Sequence, residues 1–375
     1  MKIITRIKHF FRNLLFGIFA SIFTSLLILV AINLFLEKIY LRNNLPQHDW
    51  TVLFTTYDPR YVFWQNCLDE FCPEKFGQNY PLDKIGIYTN KFNSEKNKEA
   101  NSCLKILFLG DSFSSSPFSD HSYSYYFADS LAKNSSFCVE TISIASGGAG
   151  NSQELARLED VIEQAKPNAV IWQFYWNDFF DNIRFSLFEI NNEELIRKKA
   201  WDSSAFWSGY INQKIHLLED STLGKFISTK MFYNDLFHSQ PADDRDFAKV
   251  IEYNQKFIPL AIKRVEKLGE KNNFKLFTTL SPMECQFNTN STCEKWAINF
   301  QDQLRKILSE NNNYLSMEKE FIINDQEKTI EESQNKEILF AENDKLTTKG
   351  IRHLSDDGEK YFGGILLQNF LNKIS

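Results

Sequence analysis

The most informative segment of the chain is Ile106-Leu107-Phe108-Leu109-Gly110-Asp111-Ser112. Four apolar residues in a row are typical of a strand that is buried on both faces, as in a parallel sheet. This predicted strand runs directly into a glycine and two short polar residues, which favour a turn. A serine held at such a strand end is a candidate nucleophile. We therefore expect an α/β protein with a polar site around Ser112.

Two further apolar strands are predicted, and each ends in polar or glycine-rich sequence. Residues 139–145 open into Ser146-Gly147-Gly148-Ala149-Gly150, and residues 169–174 are followed by Tyr175-Trp176-Asn177-Asp178. Predicted helices over 122–132 and 153–164 separate the strands, which is the alternation expected of a parallel sheet. Ligands bind such sheets at the carboxyl ends of the strands, so these polar residues are expected to meet there.

An acyl-transfer site needs a nucleophile, a base that takes its proton and donors for the developing oxyanion. We predict Ser112 as the nucleophile and His353 as the base. The predicted oxyanion donors are the N–H groups of Ser112 and Gly148 and the side-chain amide of Asn177. A glycine at position 148 lets the backbone approach the substrate closely. Taken alone, His353 could simply precede a helix capped by Ser355, but the other three motifs favour the base.

In order and spacing, the four motifs resemble those of the SGNH, or GDSL-type, hydrolase family over roughly residues 100 to 375. The resemblance implies a three-layer α/β/α fold with a flavodoxin-like parallel sheet of about five strands. It places Ser112 at the nucleophile, Gly148 and Asn177 in the oxyanion hole, and His353 at the base. It further implies esterase, lipase or carbohydrate O-acyl chemistry through an acyl-enzyme, with no metal or organic cofactor.

The sequence departs from the family pattern at two positions. Tyr175 stands where the third motif usually has glycine, which matters little because the asparagine side chain makes the contact. Gly350 stands three residues before His353, where the family has the aspartate that orients the histidine. We therefore predict a Ser-His dyad. The alternative is a substitute carboxylate from the same region: Asp344, Asp356 or Asp357.

The N-terminal region predicts a membrane anchor. No charged residue occurs from Asn13 to Leu36, a run of about 24 residues that is long enough to cross a bilayer as one helix. A cleaved signal peptide would have a shorter apolar core and a cleavage site. The basic residues of the first twelve predict a cytoplasmic N-terminus and an extracytoplasmic body, most plausibly in the bacterial periplasm.

The predicted organisation has four parts. Residues 1–12 form a basic tail, 13–36 a transmembrane helix, 37–100 a juxtamembrane segment that wraps the domain, and 101–375 the hydrolase-like domain. Within that domain, residues 183–245 form an aromatic insertion that we interpret either as a lid or acceptor-binding wall, or as a packing excursion. The predicted elements resume with a helix over 246–271 and a strand over 275–281.

The six cysteines fall into three local pairs, Cys67 with Cys72, Cys103 with Cys138, and Cys285 with Cys293. Cys103 and Cys138 precede two strands that should be parallel neighbours, so a disulfide is geometrically reasonable. The spacings do not match those of a zinc site, and disulfides fit an exported protein. The net charge of −6 is unfavourable for a nucleic-acid partner.

The function predicted from the sequence is that of a membrane-anchored, extracytoplasmic serine hydrolase. It would cleave acyl or acetyl esters on an envelope glycan or lipid, and no protein partner is predicted. Two alternatives stay open. One is an O-acyltransferase to an envelope glycan, and the other is a catalytically inactive, glycan-binding module with the same fold.

Overall fold

The structure is a computed structural model that describes residues 2–35, 55–56, 64–65, 78–79, 87–94, 103–116, 119–199, 244–286, 293–317, 339–341 and 352–374. The chain divides into two compact units, Met1–Trp50 with Ser208–Gln240 and Thr51–Trp207 with Pro241–Ser375. The described part of the first unit is its N-terminal helix, and all other elements below belong to the second unit.

Beyond the N-terminal helix, helices and strands follow one another along the second unit. The helices are α1 (Lys2–Phe35), α2 (Ser112–Ser115), α3 (Tyr123–Asn134), α4 (Asn151–Ala165), α5 (Asp178–Arg184), α6 (Asp244–Asn272), α7 (Lys295–Ser309) and α8 (Asp356–Ile374). The strands are β1 (Thr55–Thr56), β2 (Trp64–Gln65), β3 (Gln78–Asn79), β4 (Ile87–Phe92), β5 (Cys103–Gly110), β6 (Cys138–Ala145), β7 (Ala169–Phe174), β8 (Phe188–Asn191), β9 (Glu194–Arg197), β10 (Lys275–Leu280) and β11 (Tyr314–Leu315).

The main sheet has seven strands in the order β11-β10-β7-β5-β6-β4-β3. Five of them, β11, β10, β7, β5 and β6, pair in parallel. Their spatial order is that of flavodoxin-like sheets. The predicted α/β fold with about five parallel strands is thus confirmed. Strands β4 and β3 add an antiparallel extension beside β6, where the sequence predicted only a wrapping segment.

Helices cover both faces of the sheet, as the continuous apolar strands require. One face carries α3 and α8, whose side chains form a cluster with Ile106, Phe108 and Ile171. Helices α4, α6 and α7 pack on the opposite side, where Leu107 and Trp172 are fully buried. Each buried aliphatic or aromatic side chain contributes about 1.5–3 kcal/mol, so this core holds the strand ends rigidly in place.

The N-terminal region forms helix α1 over Lys2–Phe35. In the part of the chain that the structure describes, no helix is both long and apolar enough to span a membrane. The transmembrane helix that the sequence predicts over residues 13–36 is therefore not supported.

Two of the three predicted disulfides form. Cys103 and Cys138 lie opposite each other at the start of β5 and β6, with their Cα atoms 4.5 Å apart. Cys285 bonds to Cys293, with the Cα atoms 5.8 Å apart. The third predicted pair, Cys67 with Cys72, lies outside the described residues.

The predicted insertion at 183–245 begins with regular structure. Strands β8 and β9 form an antiparallel hairpin whose turn residues, Asn192 and Glu193, both have positive φ. Such a two-residue turn matches the right-handed twist of the strands it joins. Residues 200–243, which carry most of the aromatic residues predicted for a lid, lie outside the described part of the chain.

Candidate active site

Ser112 lies two residues after the end of β5, the middle strand of the seven-stranded sheet. The Asp111 side chain caps the short helix α2 by accepting a hydrogen bond from the Phe113 N–H at 2.9 Å. The Asp111 carbonyl accepts from the N–H groups of Ser114 and Ser115 at 3.1 and 3.0 Å. These bonds turn the chain sharply at the strand end. Ser112 therefore becomes the first residue of a helix and remains partly exposed.

Gly110 is the last residue of β5 and has no room for a side chain. A Cβ atom there would overlap Ser114 Oγ and Gln173 Oε1, two atoms that are hydrogen-bonded to each other at 2.8 Å. The Gly110 carbonyl also accepts from the Ser146 N–H at 3.2 Å, which ties β5 to the loop after β6. The glycine thus allows the Ser112 turn to pack against both neighbouring strand ends.

His353 lies beside Ser112 although the two residues are far apart in the sequence. Its Nε2 atom is 2.8 Å from Ser112 Oγ, which is within hydrogen-bonding distance. The His353 ring stacks on Phe113, with ring centroids 4.5 Å apart and an interplanar angle of 25°. The Ala341 N–H donates to the His353 carbonyl at 2.9 Å, and Phe340 forms a β-bridge with Leu354. The structure therefore brings together the predicted nucleophile and the predicted base.

The predicted oxyanion residues follow the two strands that flank β5. Gly148 lies in the loop after β6 and has a φ of 75°, a conformation that glycine adopts without strain. Asn177 follows β7 and begins helix α5, where its Nδ2 donates to Asp181 Oδ2 at 3.0 Å. The Asn177 side chain also hydrogen-bonds the Asp111 carboxyl, a contact that lowers the pKa of this acid, so the amide must turn from these acids to meet an oxyanion. Among the hydrogen bonds of the described residues, the N–H groups of Ser112 and Gly148 have no acceptor.

A buried polar network holds the two oxyanion segments together. Asn182 Nδ2 donates to Asn151 Oδ1 at 3.0 Å, and Asn182 Oδ1 accepts from the Ser152 N–H at 3.1 Å. All three residues are fully buried. A Cβ on Gly150 would collide with the backbone of Asn182, so α4 and α5 meet at close range. The network therefore fixes the loop of Gly148 relative to the helix of Asn177.

Carboxyl groups are buried beneath the site. Burial raises the pKa of the Asp111 carboxyl, while the Phe113 N–H and the nearby charge of His353 act in the opposite direction. Burial also raises the pKa of Glu154, although its Oε2 accepts from Trp172 Nε1 at 2.6 Å and from Asn151 Nδ2 at 3.1 Å. The pKa of Asp178 is raised by burial and by the charges of Glu154 and Asp111. For all three carboxyl groups, burial is the largest cause of the raised pKa.

The group that orients His353 stays a prediction. Gly350 and Asp344 lie outside the described residues. Asp356 is at the start of α8, where it accepts from the Tyr126 hydroxyl at 2.6 Å. Asp357 is exposed. In the described ranges, no group of three or more His, Cys, Asp or Glu residues has the arrangement of a metal site.

Aromatic side chains form one side of the site, a feature that the sequence analysis did not anticipate. Phe113 contacts Tyr175, with ring centroids 3.8 Å apart, and Trp176 contacts Trp296 edge to face at 5.0 Å. Phe247 stacks on Trp296 at 5.8 Å. Trp176, Trp296 and Phe247 are each partly exposed. The cluster joins residues that are distant in sequence, from α2, α6 and α7, so no local pattern indicates it.

Several solved structures are similar to this chain. A lipase from a goat rumen metagenome is 14% identical and has a TM-score of 0.41, with 71% of this chain and 97% of that chain covered. A GDSL-like lipase from Bacteroides thetaiotaomicron is 15% identical and has a TM-score of 0.34, with 72% and 89% covered. An acetylxylan esterase from Geobacillus stearothermophilus is 13% identical and has a TM-score of 0.33, with 76% and 95% covered.

No family model matches the sequence, and no curated protein matches it. The functional evidence is the geometry of Ser112, His353, Gly148 and Asn177.

Proposed function

We propose that this protein is a serine hydrolase that cleaves esters through an acyl-enzyme. The observation that carries the proposal is the 2.8 Å distance between Ser112 Oγ and His353 Nε2 at the carboxyl end of the sheet. A serine hydroxyl is a weak nucleophile until an adjacent base accepts its proton. A glycan-binding module without catalytic activity would have no need for this contact.

The chemistry follows from the placement of the groups. With the proton on Nδ1, the lone pair of His353 Nε2 accepts the Ser112 hydroxyl proton as Oγ bonds to the ester carbonyl carbon. The negative charge on the carbonyl oxygen is stabilised by the Ser112 and Gly148 N–H groups and the Asn177 amide. The imidazolium then protonates the leaving alcohol, and the acyl group stays on Ser112. Water, deprotonated by His353, attacks this acyl-enzyme and releases the acid.

The proposed substrate is an acyl or acetyl ester on a glycan or a lipid. Support comes from the partly exposed rings of Trp176, Trp296 and Phe247 near the strand ends, because aromatic faces pack well on apolar surfaces and sugar rings. Transfer of the acyl group to a sugar hydroxyl is the competing outcome, and it requires that the site bind the acceptor and exclude water. Quantifying free acetate against acetylated glycan after incubation with an activated acetyl ester separates the two.

We further propose an extracytoplasmic location, with a membrane anchor at the N-terminus. The Cys103–Cys138 and Cys285–Cys293 disulfides support an oxidising compartment. The anchor itself rests only on the apolar run at 13–36 and its basic flank. A reporter that is active only after export should work when fused after Ser375. Activity of a cytoplasm-restricted reporter at that position would refute this location.

The catalytic assignment is tested with a short activated ester. Ser112→Ala and His353→Ala should each lower kcat by several orders of magnitude, because the two residues act as a unit. Circular dichroism should show that both variants keep the fold. Wild-type turnover in either variant would refute the assignment.

A further inference from the structure

A buried ion pair lies directly beside the proposed base. Arg352 Nε donates to Glu284 Oε2 at 2.9 Å, and Arg352 Nη2 donates to Glu284 Oε1 at 2.6 Å. The Glu284 side chain is 0% exposed and that of Arg352 is 10% exposed. Two parallel hydrogen bonds between a planar guanidinium and a carboxylate fix both distance and orientation. Because Arg352 is bonded to His353 through one peptide, the pair constrains the backbone that carries the base.

The partner residue is part of the same strand end that builds the site. Glu284 opens the short 3-10 helix at 284–286, which follows β10, and β10 pairs with β7. Its neighbour Met283 belongs to the apolar cluster that contains Phe113 and Tyr175. Phe113 in turn stacks on the His353 ring. The ion pair therefore links Arg352, the residue before His353, to the segment after β10. The ring stack links His353 itself to the helix after β5.

A gain in folding free energy does not explain why this ion pair is buried so deeply. Taking two charges out of water costs about as much as their attraction returns, and a buried pair can often be replaced by apolar residues without loss of stability. What such a pair does provide is a defined geometry. That geometry matters here, because Arg352 is joined directly to the residue that must accept the Ser112 proton.

We propose that Arg352 and Glu284 are positioning residues that hold His353 Nε2 within reach of Ser112 Oγ. The inference rests on the proposed hydrolase function. In the step that it supports, the bond from Oγ to the acyl carbon forms while the hydroxyl proton moves to Nε2. Arg352 and Glu284 take no part in these bond changes. The pair acts by limiting the movement of the segment that carries the base.

The test compares three variants in the full-length chain. Arg352→Lys keeps the charge but loses the two-pronged contact. The double variant Arg352→Met with Glu284→Met removes both charges and replaces them with apolar side chains of similar length. The control is Arg197→Lys in strand β9, because Arg197 also makes a two-pronged contact with a carboxylate, from Nη1 and Nη2 to Asp160 at 2.6 and 2.9 Å, but at an exposed position. The probe is a fluorophosphonate whose adduct on Ser112 is quantified over time, alongside kcat, KM and Tm.

We expect the labelling rate and kcat of both Arg352 variants to fall by about 100-fold, the cost of misplacing a catalytic group by roughly 1 Å. The labelling rate and kcat are both divided by the concentration of folded protein. KM should stay unchanged. Arg197→Lys should label like the wild type. Because a purely structural role would lower Tm but not the rate per folded molecule, the two roles are separable.

Undiminished labelling in the folded double variant would overturn the inference. Loss of the fold in both Arg352 variants would also overturn it, since the pair would then be required for folding rather than for orientation. A wild-type protein that hydrolyses no ester and acquires no adduct on Ser112 would instead refute the proposed function. The two failures are therefore distinguishable.

Discussion

Replacing Gly110 with alanine tests whether the strand end beneath Ser112 is as tightly packed as the structure shows. The new Cβ would overlap Ser114 Oγ and Gln173 Oε1 and lie 3.0 Å from Ser114 Cβ. All of these atoms belong to buried side chains, and Ser114 Oγ is also 2.7 Å from the Tyr123 hydroxyl. Because both side chains are buried, the overlap is relieved only if the Ser114–Gln173 hydrogen bond breaks or the backbone shifts.

The cost of Gly110→Ala can be worked from these contacts. Overpacking a core costs about 1–3 kcal/mol, and loss of one buried hydrogen bond adds about 1 kcal/mol. The sum of about 2–4 kcal/mol corresponds to a fall in Tm of roughly 5–15 °C for a domain of this size. Because Ser112 is two residues away, a backbone shift of about 1 Å should also lower kcat about 100-fold.

The assay is thermal unfolding followed by circular dichroism, with ester hydrolysis measured on the same preparations. Gly364→Ala is the control, since a Cβ there meets nothing within 4 Å. It lies inside helix α8, where alanine should stabilise by about 0.5–1 kcal/mol. A Gly110→Ala variant with the Tm and kcat of the wild type would show that the strand end beneath Ser112 is not tightly packed.

Three further predictions concern the oxyanion donor, a disulfide and a buried acid. Asn177→Ala should lower kcat by about 10²–10³-fold with kcat/KM falling in parallel, measured by steady-state hydrolysis, and an equal rise in KM at constant kcat would indicate ordinary substrate binding instead. Replacing Cys103 and Cys138 with serine opens a loop with a sequence separation of 35. In the chain-entropy model this costs about 3.8 kcal/mol, so denaturant unfolding should show a lower midpoint, with an m-value that is equal or larger because the unfolded chain is less constrained, and an unchanged midpoint would contradict the prediction. Glu154 has a pKa raised by burial, so the folded state holds its proton more tightly than the unfolded chain. Its contribution to stability is full below the unfolded pKa of about 4.3 and is lost as pH rises toward the folded pKa. Glu154→Gln should therefore match the wild type in Tm near pH 4 and exceed it increasingly toward pH 8, whereas parallel Tm profiles would contradict this account.

The sequence predicted the elements whose pattern is local. Strands β5, β6 and β7 are short apolar runs that end in polar or glycine residues, and their ends carry Ser112, Gly148 and Asn177, as expected for a parallel sheet. The pairing of Cys103 with Cys138 followed from the same reasoning, since both precede neighbouring parallel strands.

What the sequence did not predict depends on long-range contacts. Strand β4 mixes polar and apolar residues and gains its place by pairing with β6 on one side and β3 on the other. The Arg352–Glu284 pair joins positions 68 residues apart and has no local signature. By contrast, the sequence does indicate the turn of the β8–β9 hairpin, because Asn192 favours the positive φ that this turn requires.

The central claim is that Ser112 is a nucleophile activated by His353. The most direct measurement is the site of fluorophosphonate attachment, found by mass spectrometry of peptides from the labelled protein. We expect one adduct, on Ser112, and we expect it to disappear when His353 is replaced with alanine. An adduct on a different residue, or undiminished labelling of Ser112 in His353→Ala, would contradict it.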